Sequence, residues 1–246
     1  MRPDEAWTLL KRAFGGPAPP RPEDAPRASG VLVPLVDVDG RAHVLLTRRS
    51  EALASHPGEL SFPGGRAERG ESALEAALRE TEEEVGVAPS DVEVAGHLTD
   101  YLTYRGVHVT AYVGRLARER LPRDPRSPAE VAEVLLVPVH GLLDAPPSVA
   151  VKPERRVPVA PPRSPGPRVY GVGAYEARAL PRRGRIPVAD EADLDHDRVV
   201  HYWRLAPATT LWGISGEITA RFLARGYGWR PRGPVARIRT VEDFVP

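Results

Sequence analysis

Two periodicities alternate along the chain. Residues 31–38 and 43–47 are short β-branched runs split by Asp37-Val38-Asp39-Gly40, where Asp39-Gly40 predicts a hairpin turn. Residues 92–98, 107–116, 131–139 and 201–205 read as further strands, with a turn at Arg105-Gly106 before the second and Pro138 ending the third. Between the first and second pairs the spacing changes. Leu74, Ala77, Leu78, Thr81 and Val85 recur at helical intervals, so the pattern predicts a helix from Glu71-Ser72 to Gly86. Phe62-Pro63-Gly64-Gly65 reads as a tight turn ahead of it. Leu211, Ile214, Ile218 and Phe222 predict a second helix over 212–224, and Trp7, Leu9, Leu10 and Phe14 mark a short amphipathic N-terminal segment. Strands and helices interleave, so the class is α/β. No internal repeat is visible.

Composition divides this pattern into regions. The 246 residues include 28 prolines, gathered mainly in two stretches. Residues 15–28 are rich in Pro, Gly and Ala, and set a segment 1–28 apart from a body at 29–230. Residues 145–198 form a Pro- and Arg-rich insertion in that body, read as a lid, an interaction arm or a mobile insertion, with some order expected at 170–175. Residues 231–246 make a tail. Lys and Arg total 34 against 33 Asp and Glu, a formal net charge of +1, so no basic field points to nucleic acid. There is no cysteine, which excludes disulfides, zinc–thiolate sites and cysteine nucleophiles. No apolar run approaches the roughly 18–20 residues of a membrane span, and the N-terminus lacks an apolar signal core. The expectation is a cytoplasmic protein that meets no membrane.

The predicted helix at 71–86 carries the chemistry. Glu80, Glu83 and Glu84 fall within an arc of roughly 100° on a helix of 3.6 residues per turn. Carboxylates that close repel, and a hard divalent cation, Mg²⁺ or Mn²⁺, removes the repulsion. Arg79 is placed to orient or partner one of the acids. The competing reading is an acidic, solvated helix face. Upstream, Arg48, Arg49 and His56 sit in or beside a loop that leads into the helix, where cations would hold phosphates. Surface arginines and a structural histidine are the alternative.

The spacing G-x5-E-x7-R-E-x2-E-E-x-G, from Gly65 to Gly86, matches by chance in about one window in 10⁸ at average residue frequencies. It resembles the Nudix box, the catalytic motif of Nudix hydrolases, with Thr81 where an aliphatic residue is usual. The upstream stretch, at Leu45, Leu46, Thr47, Arg49, Ser50, Ser55, His56, Gly58 and Phe62 to Gly65, resembles the extra motif of the coenzyme A diphosphatase branch. Ala54 stands where that branch carries Arg, and Glu59 where Gln is common. His201-Tyr202-Trp203 and Leu211-Trp212-Gly213-Ile214-Ser215 resemble the closing strand and helix of the same branch.

The resemblance implies an α/β/α sandwich with a mixed sheet and the box as loop–helix–loop. It implies water attack on a diphosphate, with Mg²⁺ or Mn²⁺ held by Glu80, Glu83, Glu84 and the Gly64 carbonyl. Arg79 would orient Glu80, Glu71 would support the acids from outside, and Arg48, Arg49 and His56 would bind substrate. For the general base, later-loop acids are candidates beside the box acids: Glu130 and Glu133, of which Glu133, at the start of the third strand, is expected to face the site. The substrate would be coenzyme A or an acyl-CoA, giving 3′,5′-ADP and 4′-phosphopantetheine or its acyl form. A Nudix hydrolase of another nucleoside diphosphate derivative, such as ADP-ribose, is the second reading, and a binding module without catalysis the third. A small molecule is the expected partner, with a homodimer as an open assembly.

Overall fold

A computed structural model describes residues 3–16, 27–103, 107–144, 148–155, 194–206, 209–229 and 235–237. In chain order the elements are α1 (Pro3–Phe14), β1 (Arg27–Val38), β2 (Arg41–Arg49), β3 (Leu60–Ser61), β4 (Gly64–Arg66), α2 (Ala73–Val85), β5 (Val92–Leu102), β6 (Val107–Leu116) and β7 (Val131–Pro138). They continue through α3 (Val139–Asp144), β8 (Ser148–Arg155), β9 (Leu194–Ala206), β10 (Thr209–Leu211), α4 (Gly213–Tyr227) and β11 (Val235–Arg237). Among the described residues no helix is long and apolar enough to cross a membrane.

The β1–β2 hairpin forms where its sequence predicts. Asp39 and Gly40 both take positive φ, 51° and 75°, as a tight two-residue turn requires. The Gly40 N–H donates to Asp37 Oδ1 at 2.8 Å. β1 then pairs in parallel with β6 along ten residues, from Arg27↔Val107 to Val36↔Leu116. β5 and β7 add antiparallel partners to β6 and β2. The result is a mixed seven-stranded sheet ordered β3-β2-β1-β6-β5, with β4 on β1 and β7 on β2.

Alternation along the strands gives this sheet two buried faces. On one, Leu32, Val36, Leu45, Tyr112 and Leu116 pack under α2 through Ala77 and Val85. On the other, Val33, Leu35, Val44, Leu46, Ala111 and Val113 meet Trp7, Leu10 and Phe14 of α1 and Ile218, Phe222 and Leu223 of α4. Helices therefore cover both faces, the expected α/β/α sandwich. The N-terminal segment, set apart by composition, packs its large apolar residues into the same core as the body; Leu9 alone of the four points out, 50% exposed.

Three details differ from the sequence reading. Gly64 and Gly65 lie in β4, not only in a turn, because their backbone pairs with Val31 and Gly30 of β1. Residues 148–155 and 194–198, at the ends of the Pro- and Arg-rich insertion, lie in antiparallel strands, the second continuing through the strand predicted at 201–205, and β11 from the tail pairs in parallel with β8, completing a four-stranded sheet ordered β10-β9-β8-β11. Alternating small and β-branched residues in Ser148-Val-Ala-Val outweigh the regional proline content there. The turn at Arg105-Gly106, the segment 170–175 and most of the insertion fall outside the described residues.

α2 is fixed in place by its ends and its close approach to β1. Ser72 and Glu75 form a reciprocal capping box, with Glu75 N–H to Ser72 Oγ at 3.2 Å and Ser72 N–H to Glu75 Oε2 at 2.8 Å. Gly86 ends the helix at φ 90°, returning its N–H to the Glu82 carbonyl. At its N-terminal end the helix backbone at Ala73 sits so close to Gly30 that a side chain at Gly30 would collide with the Ala73 carbonyl. This contact lays α2 across β1 with its acidic edge toward β4. Thr81, the departure from an aliphatic residue, is buried and turns its hydroxyl onto the Ala77 carbonyl at 2.6 Å, so no polar group is stranded.

Candidate functional site

The acidic edge of α2 meets β4 and the end of β2. Glu84 is 6% exposed, and the Gly64 N–H donates to its carboxylate. Its Oε2 is buried with no hydrogen-bond partner among the described residues. Burial first, then the neighbouring Glu80, pushes Glu84 up to about 8, against the lowering effect of the Gly64 N–H and Arg49. Glu80, half-buried, also lies above the usual carboxylate range. Burial is the main cause, opposed by Arg79, with Glu83 and Glu130 raising it further. Gly65 leaves room for Glu80: a Cβ there would occupy the position of the Glu80 carboxylate.

Arg79 organises the rest. Its Nε and Nη2 hold Glu71 at 2.9 and 3.2 Å, and Nη2 also donates to the Arg66 carbonyl at 2.9 Å. Its Nη1 reaches Glu80 at 3.2 Å and Glu83 at 3.0 Å. The Arg79 contact, with the Glu68 N–H, holds Glu71 below the usual range. Glu83 is drawn outward to Arg79, its side chain 55% exposed. Among the described residues no three carboxylate, imidazole or thiol groups converge on a point that could hold a metal ion. The three acids predicted as metal ligands thus share one edge, but Arg79 is the cation to which two of them turn. The donor chemistry still fits a hard divalent ion. It is all oxygen, and the unpartnered Glu84 Oε2 is a buried acceptor in need of a cation or donor.

The cations predicted to bind substrate fall in two places. Arg49 lies on the α2 side and acts electrostatically on Glu84. Its backbone N–H donates to the Glu59 carbonyl at 2.9 Å, and its Nε reaches the Ser55 carbonyl at 3.4 Å, which folds the 50–59 loop back beside the acids. His56 lies in that loop at φ 56°, unusual for a residue other than glycine, with its Nδ1 and Glu59 Oε2 2.8 Å apart. Glu59, where Gln is common, thus becomes the partner of His56. Arg48 is elsewhere. It alternates with Leu46 and Val44 toward the α1–α4 face, and pairs with Glu133 Oε2 at 3.0 Å.

Glu133 corrects the expectation. It is the cross-strand neighbour of Arg48, and alternates with Leu135 and Val137, whose side chains pack on the α1–α4 face. Val134 and Leu136 take the α2 side. Glu133 therefore faces away from the box acids. Glu130, just before β7, is the later-loop acid whose charge acts on both Glu80 and Glu84. Its backbone carbonyl accepts the Ser50 N–H at 2.7 Å, which ties it to the end of β2. Sequence spacing could name both acids but not choose between them, because the choice depends on cross-strand register.

Comparison with known proteins agrees with this geometry. The NUDIX domain family model matches residues 26–157, just over half of the chain. Nudix hydrolase 3 of Caenorhabditis elegans is 43% identical over 147 residues, covering 57% of this chain and 61% of the relative. The peroxisomal coenzyme A diphosphatase NUDT7 of Mus musculus is 41% identical over 114 residues, covering 46% of this chain and 48% of the relative. A solved structure of a Caenorhabditis elegans Ap4A hydrolase in a binary complex aligns with 47% of this chain and 83% of that one, at 19% identity and a TM-score of 0.39. The match spans about six-tenths of the first relative's length and about half of the second's. With a mixed sheet between helices, a capped acidic helix against β4 and a family model covering residues 26–157, the chain belongs to the NUDIX domain family.

Proposed function

We propose that this chain hydrolyses the diphosphate linkage of a nucleotide-derived small molecule, and that its substrate is coenzyme A or an acyl-CoA, released as 3′,5′-ADP and 4′-phosphopantetheine or its acyl form. The observation that carries the hydrolase reading is Glu84: a buried carboxylate, one oxygen without a partner, held by the Gly64 N–H beside Glu80 and Arg49. The coenzyme A reading is supported by the stretch 45–65, which forms β2, the Arg49–His56–Glu59 loop and β4 around that carboxylate, and by the 41% identity to a protein named a coenzyme A diphosphatase.

Glu80, Glu83 and Glu84 are the residues that would hold Mg²⁺ or Mn²⁺. A bound divalent ion there supplies neutralisation of the diphosphate and a lower pKa for attacking water. The remaining work falls to the chain. Arg79 positions Glu80 and Glu83 while anchored by Glu71. Arg49 offers a guanidinium to a substrate phosphate on the same side as Glu84. Glu130 is the proposed acceptor for the proton of the attacking water, through its carboxylate oxygens.

A hydrolysis assay with Mg²⁺ or Mn²⁺ on coenzyme A, ADP-ribose, NADH and diadenosine polyphosphate tests the proposal. Preferential release of 3′,5′-ADP from coenzyme A supports it. Cleavage of ADP-ribose in preference keeps the hydrolase reading and replaces the substrate. One observation favours that second reading: Ala54, exposed in the 50–59 loop, supplies no guanidinium where the branch motif carries one.

A further inference from the structure

The connection from β6 to β7, which ends at Glu130, docks on the C-terminal end of α2. Leu121 packs against the cluster of Val36, Leu45, Val85 and Leu116 under that helix. The Arg126 backbone N–H donates to the Glu84 carbonyl at 3.1 Å, a carbonyl of the last helical turn that has no partner within the helix. The Arg126 guanidinium pairs with Glu82 through Nη1 at 3.1 Å. Its stem lies against the helix end, where a Cβ at Gly86 would stand 3.5 Å from the Arg126 Cβ. In the spacing R-E-x2-E-E, Glu82 occupies an unspecified position, so this pair belongs to this chain rather than to the box.

Arg126 adjoins the turn that sets Glu130. The Ser127 carbonyl accepts both the Glu130 N–H at 3.0 Å and the Val131 N–H at 2.8 Å. The Glu130 carbonyl in turn accepts the Ser50 N–H. Glu130 is therefore held between the end of β2 and, through Ser127 and Arg126, the helix that carries the acids. Among the described residues no hydrogen bond or ion pair holds its carboxylate, so the backbone sets where that group sits.

We propose that the Arg126–Glu82 pair is a positioning clamp for Glu130. It fastens the 121–130 connection to α2 and so fixes the Glu130 carboxylate relative to Glu80 and Glu84, on both of which its charge acts. The inference rests on the reading of Glu130 as proton acceptor. The pair is exposed, with side chains 60% and 39% accessible, and an exposed pair contributes little to global stability. Rate responds more steeply to a misplaced base than stability does to a lost surface contact. Arg126→Gln leaves the Arg126 N–H in place, so the fold persists while the clamp loosens.

Amide exchange of the full chain tests the clamp without recourse to hydrolysis. Exchange at Glu130 and Val131 should quicken about threefold in Arg126→Gln, the scale of an exposed ion pair, and return toward wild type in Arg126→Lys. With coenzyme A and Mg²⁺, kcat should fall about threefold in Arg126→Gln with KM unchanged. The same substitution made in Glu130→Gln should cost nothing further, because the clamp acts through Glu130. Unchanged exchange, a rise in KM alone, or an equal further loss in the Glu130→Gln background would overturn the proposal. A Glu130→Gln protein with wild-type kcat would instead overturn the reading of Glu130 as the base, and the exchange result separates the two failures.

Discussion

Glu84 stands under opposing demands. Its burial and the neighbouring Glu80 disfavour charge, whereas the proposed chemistry needs a carboxylate there. The sign of the resulting pH dependence follows from linkage. With the folded value raised to about 8 from an ordinary 4.5, the native state holds a proton that the unfolded state has lost between those pH values. Stability of the metal-free protein is therefore fullest below pH 4.5 with respect to this group and falls as pH rises toward 8. The loss is of the order of 5 kcal/mol at 1.36 kcal/mol per unit. Glu84→Gln should remove that slope from Tm measured against pH, and a slope identical in the variant would show that Glu84 is not its source. The later-loop acids give a second test. Glu130→Gln should lower kcat by about 10²-fold, within the range for general-base removal, with Glu133→Gln close to wild type. The reverse order would restore Glu133 as the base. The residue types and spacing at Glu80, Glu83 and Glu84 were legible in the chain, because helical geometry is local. The face taken by Glu133 was not, since it depends on which residue of β2 it meets, and β2–β7 register shifts at Arg48/Arg49.

At the scale of elements, α2 is the device that presents the acids, and its ends were readable because caps are chemistry confined to a few residues. Ser72→Ala removes the side-chain half of the capping box, the hydroxyl that accepts the Glu75 N–H, and should cost about 1 kcal/mol in urea unfolding. Activity should survive, because the acids lie two or more turns away. β4 was hidden because Gly64-Gly65 has no strand signature of its own; only pairing with β1 makes it a strand. The docking of α1 is likewise a long-range matter. Trp7, then Lys11 and Arg115, hold Glu93 down at about 2. A depressed carboxylate contributes its stability above pH 4.5 and loses it as pH falls toward 2, so α1 should release in acid before the central sheet melts. Hydrogen exchange at α1 amides, compared at pH 5 and pH 3, checks this, with Glu93→Gln expected to remove the difference.

The whole molecule is larger than the family-matched segment 26–157. One core runs from Trp7 and Phe14 through the sheet to Trp203, Phe222 and Leu223. Phe14 is fully buried and stacks on Phe222 with ring centroids 6.1 Å apart. The Trp203 indole donates to the Leu142 carbonyl at 3.2 Å, joining the second sheet to α3. Phe14→Ala should thus cost about 3–5 kcal/mol in global unfolding, with the central sheet and α4 melting in one transition. Loss of α1 order alone, with an unchanged transition for the rest, would contradict a shared core. Composition was silent on this shared core, because the proline-rich stretch at 15–28 marks a connection, and a connection says nothing about what docks on either side of it. The central claim remains the acid edge of α2 as a hydrolytic centre for coenzyme A. Its most direct test is release of 3′,5′-ADP from coenzyme A with Mg²⁺ or Mn²⁺, wild type beside Glu84→Gln. The account predicts release by the wild type and a loss of about 10²-fold or more in a folded variant. Equal release by both proteins, or none by the wild type, would contradict it.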